Sequence, residues 1–320
     1  MLRTRIAPTP SGYLHIGNAL SFAITWLLAR QNNGFIYLRI DDIDTARYRP
    51  EYVDDIFDSL AWLGLNWEGG PKTRAEFESG FSQKLRHSEY ESALIELQDK
   101  GLVYGCTCSR EDVRSNALEL GKSPHLYAGT CRYLKLPPYR MGGEALTQVP
   151  AYRYRLVEGQ NISWINHLGE LIHSDPSQEM GDFVIWTKQN QPAYQLVSVV
   201  DDLREQINYW VRGADLLPST AAQLALAQSL APDSFAALKV VHHGLIEKDG
   251  QKLSKSKDSS SLKSLRERGV SKAEIWHYIG RLLGLQAHFV ESAQGPYDLL
   301  GQFNINAIPL GPLNWENELL

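Results

Sequence analysis

The chain has 320 residues, enough for two domains or for one large α/β domain that carries an insertion. Its formal net charge of −5 argues against a protein that coats nucleic acid non-specifically, and no apolar run reaches the ~18 residues that a membrane span needs. Three cysteines, Cys106, Cys108 and Cys131, share one stretch and read as thiols or metal ligands in a reducing compartment, not as a disulfide framework.

The first five residues run straight into a strand-like segment and leave no room for a signal peptide, so a cytoplasmic location is expected. Residues 4 to 7 read as a short strand leading into a proline-rich turn at 8 to 12. A helix is predicted from about Asn18, with Leu20, Ala23, Ile24, Leu27 and Leu28 on one apolar side, ending near Asn32-Asn33-Gly34. Residues 35 to 40 are an apolar run of strand length, as expected for a strand buried on both faces of a parallel sheet. Strand, turn, helix and strand make the βαβ unit of a doubly wound fold, whose crossover is right-handed. The helix N-terminus just after His15 and Gly17 aims backbone N–H groups and a partial positive charge at a bound group, a natural seat for phosphate.

Further helices are predicted over 51 to 63, with Val53, Ile56, Leu60 and Leu63 in helical spacing and Gly64 as the stop, and over 90 to 100, stopped by Gly101. The cysteine-bearing segment, about 106 to 135, is rich in turns and reads as an insertion. Pro137-Pro138 and Gly142-Gly143 then read as a connector. Strand-like runs return at 183 to 186 and 194 to 200. Between Lys248 and Arg268 seven Lys/Arg face three acidic residues, a local +4 best read as an anion-binding surface. Ser271-Lys272-Ala273-Glu274 is a capping box opening a helix with Ile275, Ile279, Leu282 and Leu283 on one face.

Two segments carry the chemistry. Pro8-Thr9-Pro10-Ser11-Gly12-Tyr13-Leu14-His15-Ile16-Gly17-Asn18 precedes the first helix, and Lys252-Leu253-Ser254-Lys255-Ser256 stands about 230 residues later. In this order, on either side of an α/β pattern, they resemble the HIGH and KMSKS signatures of class I aminoacyl-tRNA synthetases. Arg5-Ile6-Ala7-Pro8, Leu38-Arg39-Ile40-Asp41-Asp42-Ile43-Asp44, Pro192-Ala193-Tyr194-Gln195-Leu196, Val199-Val200-Asp201-Asp202 and Val211-Arg212-Gly213-Ala214-Asp215-Leu216 resemble the glutamyl branch. Only 64 residues follow Ser256, where a discriminating glutamyl-tRNA synthetase carries a large helical anticodon-binding region. The chain is therefore similar to the truncated paralogue family of glutamyl-queuosine tRNA(Asp) synthetases. The resemblance covers roughly residues 3 to 285 and leaves the tail from about 286 unplaced.

The resemblance implies an α/β fold: a Rossmann-type doubly wound parallel sheet with a small zinc-bearing insertion and a short helical C-terminal extension. It implies catalytic halves at 1–105 and 176–247, a zinc and acceptor-binding insertion at 106–175, and a KMSKS-like loop with a helical extension at 248–320. The implied reaction is ATP-dependent activation of L-glutamate, with Mg2+, and transfer to queuosine in the anticodon of tRNA(Asp). In such a reaction a carboxylate attacks the α-phosphate, so catalysis comes from positioning and preorganised positive groups. His15 and Gly17 serve one side and Lys252 and Lys255 the other, with His15, Gly17, Asn18 and Lys255 on ATP. Arg5, Ala7, Thr9, Asp41, Tyr194 and Arg212 would line the glutamate pocket. Arg5 or Arg212 can pair bidentately with a carboxylate, and Asp41 and the Tyr194 hydroxyl suit the α-ammonium.

The family's Cys-x-Cys…Tyr-x-x-x-Cys zinc site falls on Cys106, Cys108, Tyr127 and Cys131. A phenolate is an unusual ligand, since the metal must displace a proton of pKa near ~10, and His125 is the chemically more ordinary fourth donor. Three unliganded buried thiols are the plain alternative. Two positions depart from the family: Asn18 takes the fourth place of HIGH, and Asp41 stands where a glutamate is usual. With one methylene fewer, either the pocket closes around the shorter acid or the substrate or acceptor has changed. Three other readings are a different acceptor (a tRNA 3′ end, a carrier protein or a small molecule), a silent tRNA-binding paralogue, and a nucleotidylyltransferase. A silent copy has no need of His15, Gly17 and Lys255, and a nucleotidylyltransferase would lack Arg5, Tyr194 and Arg212.

Overall fold

The computed structural model describes residues 1–140, 149–248, 251–252 and 261–314, of which 248, 251 and 252 are described in backbone only. Strand β1, Arg3–Ile6, pairs in parallel with β2, Phe35–Leu38, and helix α1, Ile16–Gln31, crosses between them. Most of α1, from Ile16 to Ala29, is buried, so it is a core helix with no single apolar stripe. Helix α2, Pro50–Leu63, ends on Gly64 in the left-handed region at φ 76°, a conformation that costs glycine no Cβ clash.

A small antiparallel sheet of order β3-β4-β7 joins β3, Val103–Cys106, β4, Ala151–Tyr154, and β7, Val184–Trp186. A larger one has the order β6-β5-β9-β8. It contains β5, Ile162–Asn166, β6, Leu171–Ser174, β8, Tyr209–Gly213, and β9, Lys239–His243. Strand β9 is parallel to both β5 and β8. Strand β1 lies beside β8: Asn208 N donates to Arg3 O at 3.0 Å, and Asn208 Oδ1 accepts from Arg3 N at 2.8 Å. The chain thus leaves this junction on one side to β2 and on the other to β9. In open α/β sheets, ligands bind at such a reversal of strand order, beyond the carboxyl ends of the strands. Strand β10, Ile246–Lys248, finally pairs with β11, Gln251–Lys252, and in parallel with β12, Leu313–Asn314.

Among the described residues there are three buried apolar clusters, a small one around Tyr104, Cys106, Tyr127 and Cys131 and two large ones. One gathers Trp26, Leu27, Ile36 and Leu60 with Trp276 and Ile279 of the helix Lys272–Leu282. The other gathers Tyr90, Leu94, Trp186, Leu196, Trp210 and Val240. Among the described residues no helix is long and apolar enough to cross a membrane.

Three local expectations change. Residues 194 to 200, read as a strand, open the helix Tyr194–Arg204. Their apolar, β-branched run suits a buried strand, but the segment packs between the helices His87–Asp99 and Leu217–Leu230, and burial overrides propensity. The turn-rich insertion contains the helix Arg110–Glu119, in which Ser109 Oγ accepts from Asp112 N at 3.1 Å and Asp112 Oδ2 from Ser109 N at 2.7 Å. Only Ala117 of that helix is buried, so no apolar stripe announces it. The tail beyond 286 packs on α1: Gln31 Nε2 donates to Leu300 O at 2.8 Å and Phe303 O at 2.6 Å, and Tyr297 meets Trp26 edge-on at 4.8 Å. Gly142 and Gly143 of the connector lie outside the described residues.

Candidate active site

His15 is the N-cap of α1, with extended backbone at φ −119° and ψ 171°. Its Nδ1 accepts from Gly17 N at 3.1 Å, and Asn18 Oδ1 accepts from His15 N at 3.1 Å, so the two side chains cap each other's backbone. This gives Asn18, the departure from HIGH, a structural role. With Nδ1 accepting, the assigned tautomer carries its proton on Nε2. Gly17 is needed for close approach: a Cβ there would sit 3.0 Å from His15 Cε1 and Nδ1.

At the carboxyl ends of β1 and β8 lies a cavity of about 370 Å³. Its walls include Arg5, Ala7, Thr9, His15, Gly17, Asn18, Asp41, Tyr194 and Arg212, every expected glutamate and ATP residue whose side chain is described. Strands β1 and β8 supply Arg5 and Arg212, the turn after β2 supplies Asp41, and the start of the helix Tyr194–Arg204 supplies Tyr194, still 41% exposed.

One wall is a neutralised network. Arg39 Nε donates to Asp41 Oδ1 at 2.6 Å and Nη2 to Asp41 Oδ2 at 3.1 Å, while Nη1 reaches Asp202 Oδ1 at 2.6 Å. Arg5 Nε donates to both Asp202 oxygens at 3.2 Å. Gln83 Nε2 bridges Asp41 Oδ1 at 3.1 Å and Asp201 Oδ2 at 2.9 Å, and Asp201 also takes Arg86 Nη2 at 3.1 Å and the Tyr90 hydroxyl at 2.8 Å. Arg5, Arg39 and Arg86 thus balance Asp41, Asp201 and Asp202. Burial pushes the Asp41 carboxyl above the usual carboxylate range, against the pull of Arg39. Of the roughly four lone-pair sites on a carboxylate, Asp41 uses three here, leaving one directed acceptor.

The opposite wall is different. Arg212 is 2% exposed, and its Nη1 and Nη2 donate to neutral groups, Thr220 Oγ1 at 3.1 Å and Gln223 Oε1. Among the described residues no carboxylate lies within ion-pair distance of Arg212, and its Nε has no partner. Burial pulls the guanidinium below the ordinary arginine value, to about 10. It remains a cation at neutral pH. Behind it, His242 Nε2 lies 2.8 Å from Thr220 Oγ1, and burial, then Arg212, depress that imidazole to about 4.

Lys252 lies in β11, its backbone opposite Glu247, while Leu253 to Ser260, including Lys255, lie outside the described residues. The chain reappears against the histidine turn: Ser261 bridges His15, and Leu262 N donates to Leu14 O at 2.7 Å.

Sequence reasoning gave no role to Arg39, Gln83, Thr220 or Gln223. An arginine two residues before Asp41, on an otherwise apolar strand, signals a buried ion pair. Thr220 and Gln223 carry no such mark, since polar residues one turn apart are ordinary on a helix.

The three cysteine sulfurs lie within 4.8 Å of one another, with Cys108 and Cys131 Sγ 3.5 Å apart. The Tyr127 oxygen is 3.4 Å from Cys106 Sγ and accepts from Cys131 N at 2.7 Å. His125 is exposed and outside this group. Burial opposes the Cys131 thiolate, but hydrogen bonds from Tyr127, the Thr107 backbone and its sister thiols bring it down to about 7. Burial lifts Cys108 to about 12. This three-cysteine cluster could hold a metal; the Arg153 guanidinium lies 3.7 Å over the Tyr127 ring, while burial and then Cys106 raise the Tyr127 hydroxyl well above its ordinary value.

Fold and site define a nucleotide-binding α/β protein whose switch-point cavity joins a helix N-terminus to a buried cation that has no acid partner among the described residues. The family model for tRNA synthetases class I (E and Q), catalytic domain, matches residues 1–305. The chain is 36% identical over 319 residues to a glutamyl-Q tRNA(Asp) synthetase of Nitratidesulfovibrio vulgaris, covering 98% of this chain and 95% of that protein. It is 34% identical to the glutamyl-Q tRNA(Asp) synthetase of Symbiobacterium thermophilum, again over 98% and 95% of the two chains. The crystal structure of a glutamate-tRNA synthetase from Elizabethkingia anophelis shares the fold, with a TM-score of 0.78 at 21% identity over 99% of this chain and 68% of that one. The chain belongs to the class I synthetase family that serves glutamate and glutamine.

Proposed function

We propose that the protein activates L-glutamate with ATP and Mg2+ and transfers it to queuosine in the anticodon of tRNA(Asp). One observation carries the activation step: those residues assigned to glutamate and ATP from sequence whose side chains are described line a single cavity, and among the described residues Arg212 has no acid partner. The glutamate side chain would pair with Arg212, its α-ammonium would take the open acceptor site of Asp41 and the Tyr194 hydroxyl, and its α-carboxylate would attack the α-phosphate held at the N-terminus of α1. The shorter acid at position 41 is compatible with glutamate because Arg39 and Gln83 hold it at the cavity wall. Lys252 and Lys255 would act on the phosphates as charge develops.

The acceptor is supported by the two relatives named glutamyl-Q tRNA(Asp) synthetase, which match over 95% of their own length. A cavity of about 1020 Å³ beside the cysteines has Arg110, Arg114 and Arg153 of the segment 106–175 and Lys188 in its walls against Glu111 and Asp182, a net positive lining that suits a nucleic-acid backbone. Anticodon bases in a single-stranded loop can be splayed out and read edge-on. We assign zinc to Cys106, Cys108, Cys131 and Tyr127, where it would brace that segment. Metal analysis should find about one zinc per chain, and protein that is folded, metal-free and freely titratable at all three thiols would remove the site. For the acceptor, labelled glutamate should attach to queuosine-containing tRNA(Asp) even after removal of the tRNA's 3′ terminal nucleotides. Labelling that needs an intact 3′ end and ignores queuosine would make the protein a truncated tRNA-charging synthetase.

A further inference from the structure

Helix α2 buries an acid that the site above does not use. Asp54 and Asp58 are exposed, as expected of charges on a surface helix, whereas Asp55 is 3% exposed. A carboxylate in such a place is costly unless its lone pairs are filled. Asp55 Oδ2 accepts from Leu14 N at 3.1 Å, in the residue just before His15. Its Oδ1 takes the Ser59 hydroxyl at 3.3 Å and Arg266 Nη2 at 2.7 Å. Arg266 lies in the helix Leu262–Glu267, whose first residue already bonds Leu14 O. That helix starts seven residues after Lys255. Lys263 adds a second tie, its Nζ 4.7 Å from the Tyr13 ring centroid and 3.4 Å from the Tyr13 hydroxyl.

We infer that Asp55 is a positioning residue that clamps the histidine turn to the helix Leu262–Glu267 and so fixes the placement of His15 at the start of α1. A single carboxylate holds both sides of the clamp: the backbone N–H of the first element and the guanidinium of the second. Neither Asp55 nor Arg266 lines the cavity. Their effect is therefore on the rate of the chemical step and not on glutamate binding, and it rests on the activation reaction proposed above.

The test uses the full-length protein with Asp55→Asn, Arg266→Gln and the double variant. Asp55→Asn keeps an oxygen for Leu14 N but loses the charge. In glutamate-dependent ATP–pyrophosphate exchange each single variant should lose about tenfold or more in kcat, with KM for glutamate within twofold. The double variant should lose no more than the worse single one, since both remove the same contact. Arg266→Lys should recover part of the rate. Independently of any substrate, amide hydrogen exchange in Arg266→Gln should quicken at Leu14 to Ile16 and Ser261 to Lys263 and stay unchanged in the helix Leu217–Leu230. Unchanged kcat in both single variants, additive losses in the double, or exchange that quickens uniformly would overturn the clamp. Absent glutamate activity in the unmodified protein would instead defeat the substrate reading, and the hydrogen-exchange comparison would still decide the clamp.

Discussion

Two buried arginines face the same cavity and are built in opposite ways. Arg39 is surrounded by acids: Asp41 grips it at two points and Asp202 at a third. Arg212 is equally buried, but among the described residues it donates to a threonine hydroxyl and a glutamine amide and lies 3.9 Å over the Trp210 ring, with no acid beside it. A buried cation with its counter-charge in place is an element of structure, because removing it strands the acids. One without a counter-charge makes folding harder and is kept for a charge that arrives later. On the function proposed above, the contrast would separate the scaffold of the pocket from its selective element.

The largest expected effect falls on the scaffold. Arg39→Gln leaves Asp41 and Asp202 short of a cation, and breaking a buried pair in this way costs on the order of 3–5 kcal/mol. Urea unfolding should show that loss directly, with activity falling as a consequence. Arg212→Gln should do the reverse. It breaks no ion pair among the described residues, so the unfolding midpoint should hold or rise. Glutamate-dependent pyrophosphate exchange should fall by a comparable ~3–5 kcal/mol in kcat/KM, since the substrate carboxylate then lacks its cation. If the two variants lose stability equally, the distinction between the walls is wrong.

A smaller effect concerns pH. His242 has its folded value depressed to about 4 from an ordinary 6.5, by burial and then by Arg212. Between those values the unfolded chain binds the proton more readily, so this contribution is complete above pH 6.5 and is lost as pH falls towards 4. Its ceiling is about 3 kcal/mol. His242→Asn should flatten the acid limb of the stability curve over that range, and an unaltered limb would mean that His242 titrates freely.

Much of this was legible in the sequence. The βαβ unit, the helix beginning at the histidine turn, and the residues of the cavity follow from glycine placement, apolar spacing and family motifs, because those signals are local. The division between neutralised and unneutralised arginines was not. Arg5 and Arg212 read alike as carboxylate partners, and only the fold brings Asp202 to Arg5 from 197 residues away while leaving Arg212 with Thr220 and Gln223. Similarly, Asp55 is indistinguishable in sequence from Asp54 and Asp58, since the side it faces depends on where α2 packs. The run from Tyr194 misled for a related reason. An apolar segment buried all round satisfies helix and strand equally well until its neighbours are known.

On the proposed function Arg212, which has no acid partner among the described residues, selects an acid over its amide. It is tested most directly by ATP–pyrophosphate exchange in the absence of tRNA with glutamate, glutamine and aspartate in parallel. Exchange is expected with glutamate, and kcat/KM for glutamine should be lower by a hundredfold or more, the cost of about 3 kcal/mol for leaving a buried cation unpaired. Aspartate, one methylene short of Arg212, should also fall well below glutamate. Equal exchange with glutamate and glutamine would contradict it.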